Sequence, residues 1–380
     1  MKIDRTEQKL FHQIKNQNFQ LSKLAVTDKN SKIQHYPLSV YLETSLKCNL
    51  KCIMCPGHSF NKEDKTKGQD FGILSPEIFK KITPLFPYLD RCILSGDGEP
   101  FLNMHLLKYL KELKRHQIFV GFITNGILLK KETATKLIEL GVDQITFSID
   151  SLEKELYEKI RVNAKFEILM ENIKYLFSEK ERLNGLKTNI TIAAVLMRSN
   201  YKEMRKFIKF ASDWGINQVL FNPLIRYPDD RYLRFYDDNC LTEENLQNLK
   251  TEIPDLIDYS RKLRVDFVLA FFPGIRDLPE RKKFKGDIIC SEPWTTMFIT
   301  WDGHVRTCCL NETSLGFLKE DSIENIWFSK KYQDLRDEIT SGKIVNPFCV
   351  NCIKTSRQDF IINEIEKILF SMREFLEQTW

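Results

Sequence analysis

Between Pro37 and Pro223, short apolar segments of strand character alternate with amphipathic helical segments. No other feature restricts the fold as much. Residues 40–44, 92–95, 119–124, 144–149, 189–197 and 218–221 read as strands. Helical spacing follows at 104–115, 131–140, 166–177 and 202–214, and Ser75 with Pro76 opens another helix as N-cap and first helical residue. Alternation of this kind means parallel strands. Strands apolar on both faces need helices on both faces. Six units are fewer than a closed eight-fold barrel, so the expected fold is α/β, a partial (β/α)6 TIM-like barrel. Functional groups then belong at the C-terminal strand ends.

The rest of the chain divides around this barrel. Residues 1–37 are a polar N-terminal extension with a hint of a short helix near Leu10, Phe11 and Ile14, and the barrel spans 38–222. Residues 223–289 bridge to a cysteine-rich auxiliary domain at 290–352, and 353–380 has the spacing of a C-terminal helix. The bridge sets Arg226, Arg231 and Arg234 among Tyr227, Tyr232 and Tyr236, a cluster suited to a phosphate, carboxylate or sugar and equally to a solvated surface. It continues as a helix over 242–263 that Pro254 is expected to interrupt.

Charge and hydropathy exclude some classes. Lys and Arg outnumber Asp and Glu by 57 to 52, and a net +5 on 380 residues gives no reason to expect nucleic acid or an anionic membrane. The richest apolar stretch, 265–275, is too short to span a bilayer, and the N-terminus is too polar for a secretory signal. The expected location is the cytoplasm. There, ten cysteines are metal ligands, catalytic thiols or core residues rather than a disulfide scaffold.

Three of them, Cys48, Cys52 and Cys55, follow the first strand with C-x3-C-x2-C spacing. Structural zinc sites close with four ligands. Three thiolates suit a cubane iron–sulfur cluster, whose fourth iron is left for a ligand from outside the protein. This motif resembles that of the radical S-adenosylmethionine (radical SAM) enzymes, and the resemblance spans 38–222. It is supported by Asp97-Gly98-Glu99-Pro100, similar to the family's Gly-Gly-Glu motif, with Asp97 at the first glycine. Thr124-Asn125-Gly126 and Ser148-Ile149-Asp150, at the ends of strands three and four, add to it. The resemblance implies that Gly98 and Glu99 hold the SAM ammonium and that Asn125, Ser148 and Asp150 approach the ribose or carboxylate. It further implies that Arg161 pairs with the carboxylate and that Met54 covers the adenine.

A second group, Cys290, Cys308, Cys349 and Cys352, makes a closed four-ligand set whose spacing alone suits zinc or a fully ligated cubane. Its surroundings, Cys290-Ser291-Glu292-Pro293-Trp294, Trp301-Asp302-Gly303-His304, Leu335-Arg336 and the closing Cys349-x2-Cys352, resemble the twitch or SPASM-type auxiliary domain of radical SAM enzymes. The resemblance implies one auxiliary [4Fe–4S] cluster besides the SAM-binding one. Cys308 and Cys309 compete for one ligand position. The Gly303-x4-Cys308 spacing resembles the family's and selects Cys308, and on an extended segment Cys309 then faces away. His304 is expected in a turn.

The implied function is reductive cleavage of SAM to a 5′-deoxyadenosyl radical, then hydrogen abstraction. The first expectation is oxidation of a sugar or cyclitol with the auxiliary cluster as electron acceptor, and the second is modification of a peptide, as by an epimerase or maturase. Flavodoxin or ferredoxin is the expected electron donor. No residue is assigned to catalysis; Cys240 is the weak candidate, as a hydrogen donor, and Cys92 reads as a core thiol. A non-enzymatic zinc protein is the alternative of another class.

Overall fold

A computed structural model describes residues 5–55, 57, 71–183, 187–227, 230–269, 290–350 and 352. The expected C-terminal helix lies outside the described residues. The six expected strands form as β1 (Ser39–Leu42), β2 (Arg91–Leu94), β3 (Phe119–Thr124), β4 (Gln144–Ser148), β5 (Asn189–Leu196) and β6 (Gln218–Pro223). They lie in chain order, each parallel to the next. Helices cover them for the reasons the sequence provides. The helix Leu106–Arg115 buries Leu106, Tyr109, Leu110 and Leu113 on one stripe. The Ser75 hydroxyl accepts from the Ile78 amide to start Pro76–Lys81, and Gly215 ends Met204–Trp214 in the left-handed region.

The sheet is larger than six strands. β7 (Asp266–Leu269) adds parallel to β6. β8 (Thr296–Ile299) comes from the cysteine-rich region and adds parallel to the other edge, against β1. β9 (His304–Arg306) and β10 (Gly316–Phe317) extend that edge with antiparallel pairing. The order β10-β9-β8-β1-β2-β3-β4-β5-β6-β7 leaves the sheet unclosed, as a partial barrel requires. The chain of the second cysteine group is therefore hydrogen-bonded directly to the strand that leads into the first.

Three local expectations are corrected. The N-terminal helix is long, Arg5–Thr27, because its inner face buries polar residues that a hydrophobic pattern does not register. Asn18 there accepts from the Tyr36 amide at 2.8 Å and donates to the carbonyls of Tyr36 and Tyr88. The helix Glu243–Lys262 runs through Pro254, with a Thr242–Asn245 capping box at its start. His304 stands on β9 rather than in a turn, its Nδ1 2.9 Å from the Ser314 hydroxyl and its ring stacked on Phe317. Cys92 is fully buried, as a core thiol should be. No helix among the described residues is long and apolar enough to cross a membrane.

Candidate active site

Beyond β1 the chain makes the loop 45–55, pinned on three sides. The Leu46 amide donates to the Gly72 carbonyl, and the Glu99 amide donates to the Lys47 carbonyl at 2.8 Å. The amides of Lys51 and Ile53 donate to the carbonyls of Val162 and Ile160, both at 2.9 Å. Gly98 makes this packing possible. A Cβ there would lie 2.3 Å from the Ser45 carbonyl oxygen and 2.4 Å from that of Lys47.

The loop and the strand ends enclose a half-open cleft with about 590 Å3 of empty space. Cys48, Cys52, Cys55 and Met54 line it from the loop, and Ser95 to Glu99 line it from beyond β2. Ile123, Thr124 and Asn125 close it at β3, Ser148 at β4 and Arg161 from the end of the helix Lys154–Ile160. The expected residues thus converge, with two exceptions. Asp150 lies behind the cleft, fully buried, accepting from the Val195 amide at 2.7 Å and pairing with Arg161 at 2.7 Å. Cys240 does not line it; its thiol donates to the Asp237 carbonyl at the end of the helix Asp230–Asn239.

The sulfurs of Cys48 and Cys52 meet nitrogen donors. The Leu50 amide and the Asn125 side-chain amide approach Cys48 Sγ at 3.5 and 3.9 Å, and Arg161 Nη1 approaches Cys52 Sγ at 3.8 Å. Burial pushes the Cys48 thiol up to about 11 and raises Cys52 as well. Neutral thiols do not need such donors, whereas cluster-bound thiolates do, and metal binding deprotonates a thiol outright. This donor set fits an iron–sulfur cluster.

The Glu99 carboxylate is 2% exposed and ties β2 to β3. Its Oε1 accepts from the Thr124 hydroxyl at 2.7 Å and the Phe101 amide at 3.2 Å, and Oε2 accepts from the Asn125 amide at 2.8 Å. Burial raises its pKa, and these three donors oppose the rise. A carboxylate has about four acceptor positions, so Oε2 keeps one for a further donor.

In the second cysteine group, charge couples the four expected ligands. Burial first, then Glu292, Cys308 and Cys352, push the Cys290 thiol up. Burial and then Cys308 and Cys352 push Cys349 up to about 12. Cys308 rises to about 11 by burial, then Glu292, with Cys352 adding to it. Cys309 differs in being exposed at the surface; besides desolvation, the charges of Cys308, Glu292 and then Asp97, a residue of the first cleft, act on it. The expected alternation along a strand does not occur, because β9 ends at Arg306 and Cys308 and Cys309 lie in a bend and a turn.

Sequence reasoning missed two participants. Tyr232, within the bridging segment, is buried, donates to the Met54 carbonyl at 3.1 Å and lies edge-on to Tyr227. The tyrosine cluster was its signal. Glu43, at the end of β1, is 4% exposed and had none.

Fold and site define a radical SAM enzyme with an auxiliary iron–sulfur domain. Residues 42–211 match the radical SAM superfamily and residues 290–353 the SPASM iron–sulfur cluster-binding domain, and the chain belongs to that superfamily. Its cofactors are SAM and two [4Fe–4S] clusters. It is similar to the tungsten-containing aldehyde ferredoxin oxidoreductase cofactor-modifying protein of Pyrococcus furiosus, at 24% identity over 85% of this chain and 89% of the relative. It is also similar to a probable GTP 3′,8-cyclase of Methanocaldococcus jannaschii, at 25% identity over 85% of this chain and 96% of that protein. In fold it resembles SAM-bound SuiB of Streptococcus suis, with a TM-score of 0.63 and 17% identity over 82% of this chain and 70% of that one. AdoMet-bound anSMEcpe is another fold neighbour, with a TM-score of 0.57 and 19% identity over 80% and 83%.

Proposed function

We propose that this enzyme oxidises a small hydroxyl-bearing molecule of the sugar or cyclitol type. The observation that carries the reading is the direct pairing of β8, which leads to Cys308, with β1, which leads to Cys48, while Glu43 beyond β1 accepts from both the Asp97 and the Trp301 amides. The space next to the SAM site is then also next to the auxiliary cluster, which is the arrangement an electron acceptor needs. When bound, the cofactors supply a 5′-deoxyadenosyl radical that takes a hydrogen atom from the carbinol carbon. A cluster held by Cys290, Cys308, Cys349 and Cys352 would supply the acceptor for the one electron the substrate radical must lose to become a carbonyl, with the hydroxyl proton released to solvent. Flavodoxin or ferredoxin supplies the electron that starts each cycle.

The residues have assigned tasks in this reading. Cys48, Cys52 and Cys55 hold the SAM-binding cluster, and Cys290, Cys308, Cys349 and Cys352 hold the auxiliary one. Glu99 and Gly98 receive the SAM ammonium, Arg161, Asn125 and Ser148 its carboxylate and ribose, and Met54 its adenine. Asp150 fixes Arg161. The modules in this reading are 38–222 and 290–352, and the location it takes is the cytoplasm. The relatives' names concern a cofactor and a nucleotide, both small molecules, which supports this substrate class over a peptide.

The test is anaerobic turnover with dithionite, SAM and carbinol-deuterated sugars or cyclitols. Deuterium should appear in 5′-deoxyadenosine together with a carbonyl product. Deuterium transfer only from a labelled peptide substitutes the peptide reading. Absence of 5′-deoxyadenosine from iron-replete protein overturns both.

A further inference from the structure

Glu43 sits where three parts of the molecule meet. It directly follows β1, five residues before Cys48, and its own amide donates to the Ile299 carbonyl of β8 at 2.9 Å. Its Oε1 accepts from the Asp97 amide at 2.9 Å, in the segment that lines the cleft. Its Oε2 accepts from the Trp301 amide at 3.3 Å, in the turn between β8 and β9. One carboxylate therefore holds the loop after β2 and the hairpin that leads to Cys308.

A second observation agrees. Gly96 packs flat on this side chain, and a Cβ there would lie 2.3 Å from Glu43 Cγ and 2.7 Å from Oε1. The loop after β2 is built around Glu43 rather than merely near it. A buried acid whose two oxygens serve two amides 204 residues apart in the chain is costly unless its position matters. The 204 is the separation of Asp97 and Trp301.

We infer that Glu43 is a positioning residue that locks the SAM-binding loop and the auxiliary-cluster hairpin to the same strand end. The inference rests on the SAM-site reading above. Burial first, then the Asp97 charge, raise the Glu43 carboxyl to about 7, against the two amides and the Arg306 guanidinium of β9. Asp97 and Arg306 are the charged groups that act on it. As a carboxylate Glu43 accepts from both amides. As a carboxylic acid it turns one acceptor oxygen into a hydroxyl, and the longer bond, to Trp301, is the one that weakens.

The experiment measures SAM affinity by calorimetry on reconstituted, iron-replete protein between pH 6 and 8, for wild type and Glu43→Gln. SAM's own titration is common to both and cancels in their ratio. At pH 8 the variant should bind about tenfold more weakly, since an amide cannot accept at both ends. At pH 6 the ratio should shrink, because the wild type has itself lost the carboxylate. Iron content should be unchanged. Gly96→Ala, whose methyl displaces Glu43 without removing it, should weaken SAM to a similar degree, and the double variant should be no worse than either alone. A pH-independent ratio near one overturns the inference, as does loss of irons in both single variants. If the SAM-site reading itself is wrong, wild type fails to bind SAM here, which is a different result.

Discussion

Arg161 holds the Asp150 carboxylate at 2.7 Å and the Cys52 sulfur at 3.8 Å with a single guanidinium, and both charged side chains are buried. Burial works against the Arg161 charge, and Asp150, Cys52 and Tyr157 outweigh it, so the group stays ionised. The pair leaves one cationic edge toward the cleft and fixes where it points.

Removing one member strands the other. Asp150→Asn should cost about 3–5 kcal/mol of stability, the range for breaking a buried pair, while leaving three cysteines to bind iron. Anaerobic denaturant unfolding measures the loss. A cost near the surface-pair value, about 0–1 kcal/mol, means that the pair does not organise the helix end.

Iron content tests the cysteine assignments. Wild type should hold about eight irons, and a triple Cys48→Ala, Cys52→Ala, Cys55→Ala variant about four, with no SAM cleavage. Stoichiometric zinc in place of iron after anaerobic reconstitution speaks for a structural metal site instead.

Glu99→Gln separates binding from assembly. The carboxylate's spare acceptor position on Oε2 is charge-assisted toward an ammonium, and an amide loses that charge. SAM should bind roughly tenfold more weakly, with both clusters retained. Unchanged SAM affinity accompanied by iron loss makes Glu99 a structural strut between β2 and β3.

How much of this was readable in advance depended on where each signal came from. β1 to β6 announced themselves because each is apolar on both faces and flanked by turn residues such as Gly141 and Gly215. β7 and β8 lie outside the strand–helix alternation, and their partners are chosen by tertiary packing. The first helix was underestimated because Asn18 and Ser22 are buried on its inner face. The grouping of Cys48, Cys52 and Cys55, which line one cleft, was legible from their spacing, a local property. Glu43 was not, since its partners are backbone amides, one of them 258 residues away, and a backbone amide leaves no trace in the sequence.

His35 gives a pH signature. Its Nε2 donates to the Trp294 carbonyl at 2.7 Å, and burial lowers its pKa to about 4. The unfolded chain takes up a proton below about pH 6.5. The folded chain does not until about 4. Stability present above pH 6.5 is therefore lost as pH falls, by about 2 kcal/mol at pH 5. Glu43 acts in the opposite sense over an overlapping window, because its raised carboxyl favours the folded state as pH falls below 7. The wild-type curve mixes the two, so the readout is the difference between wild type and His35→Gln. The variant should lose less stability than wild type from pH 7 to pH 5. Equal losses would falsify the neutral buried imidazole.

The last prediction distinguishes two adjacent cysteines. After burial, Cys308 responds to Glu292 and Cys352, and Cys290 and Cys349 respond to Cys308 in turn. Cys309 is exposed, and Cys308 and Glu292 act on it ahead of Asp97. The turn that follows β9 carries both cysteines and is braced by Asn311, which donates to the Thr307 hydroxyl at 3.2 Å; the Gly303-x4-Cys308 spacing favours Cys308 as the ligand. Cys308→Ala should therefore remove the auxiliary cluster and about half the iron, while Cys309→Ala keeps about eight irons. Iron counts and electron paramagnetic resonance of the two single variants decide it, and cluster loss confined to Cys309→Ala reverses the assignment.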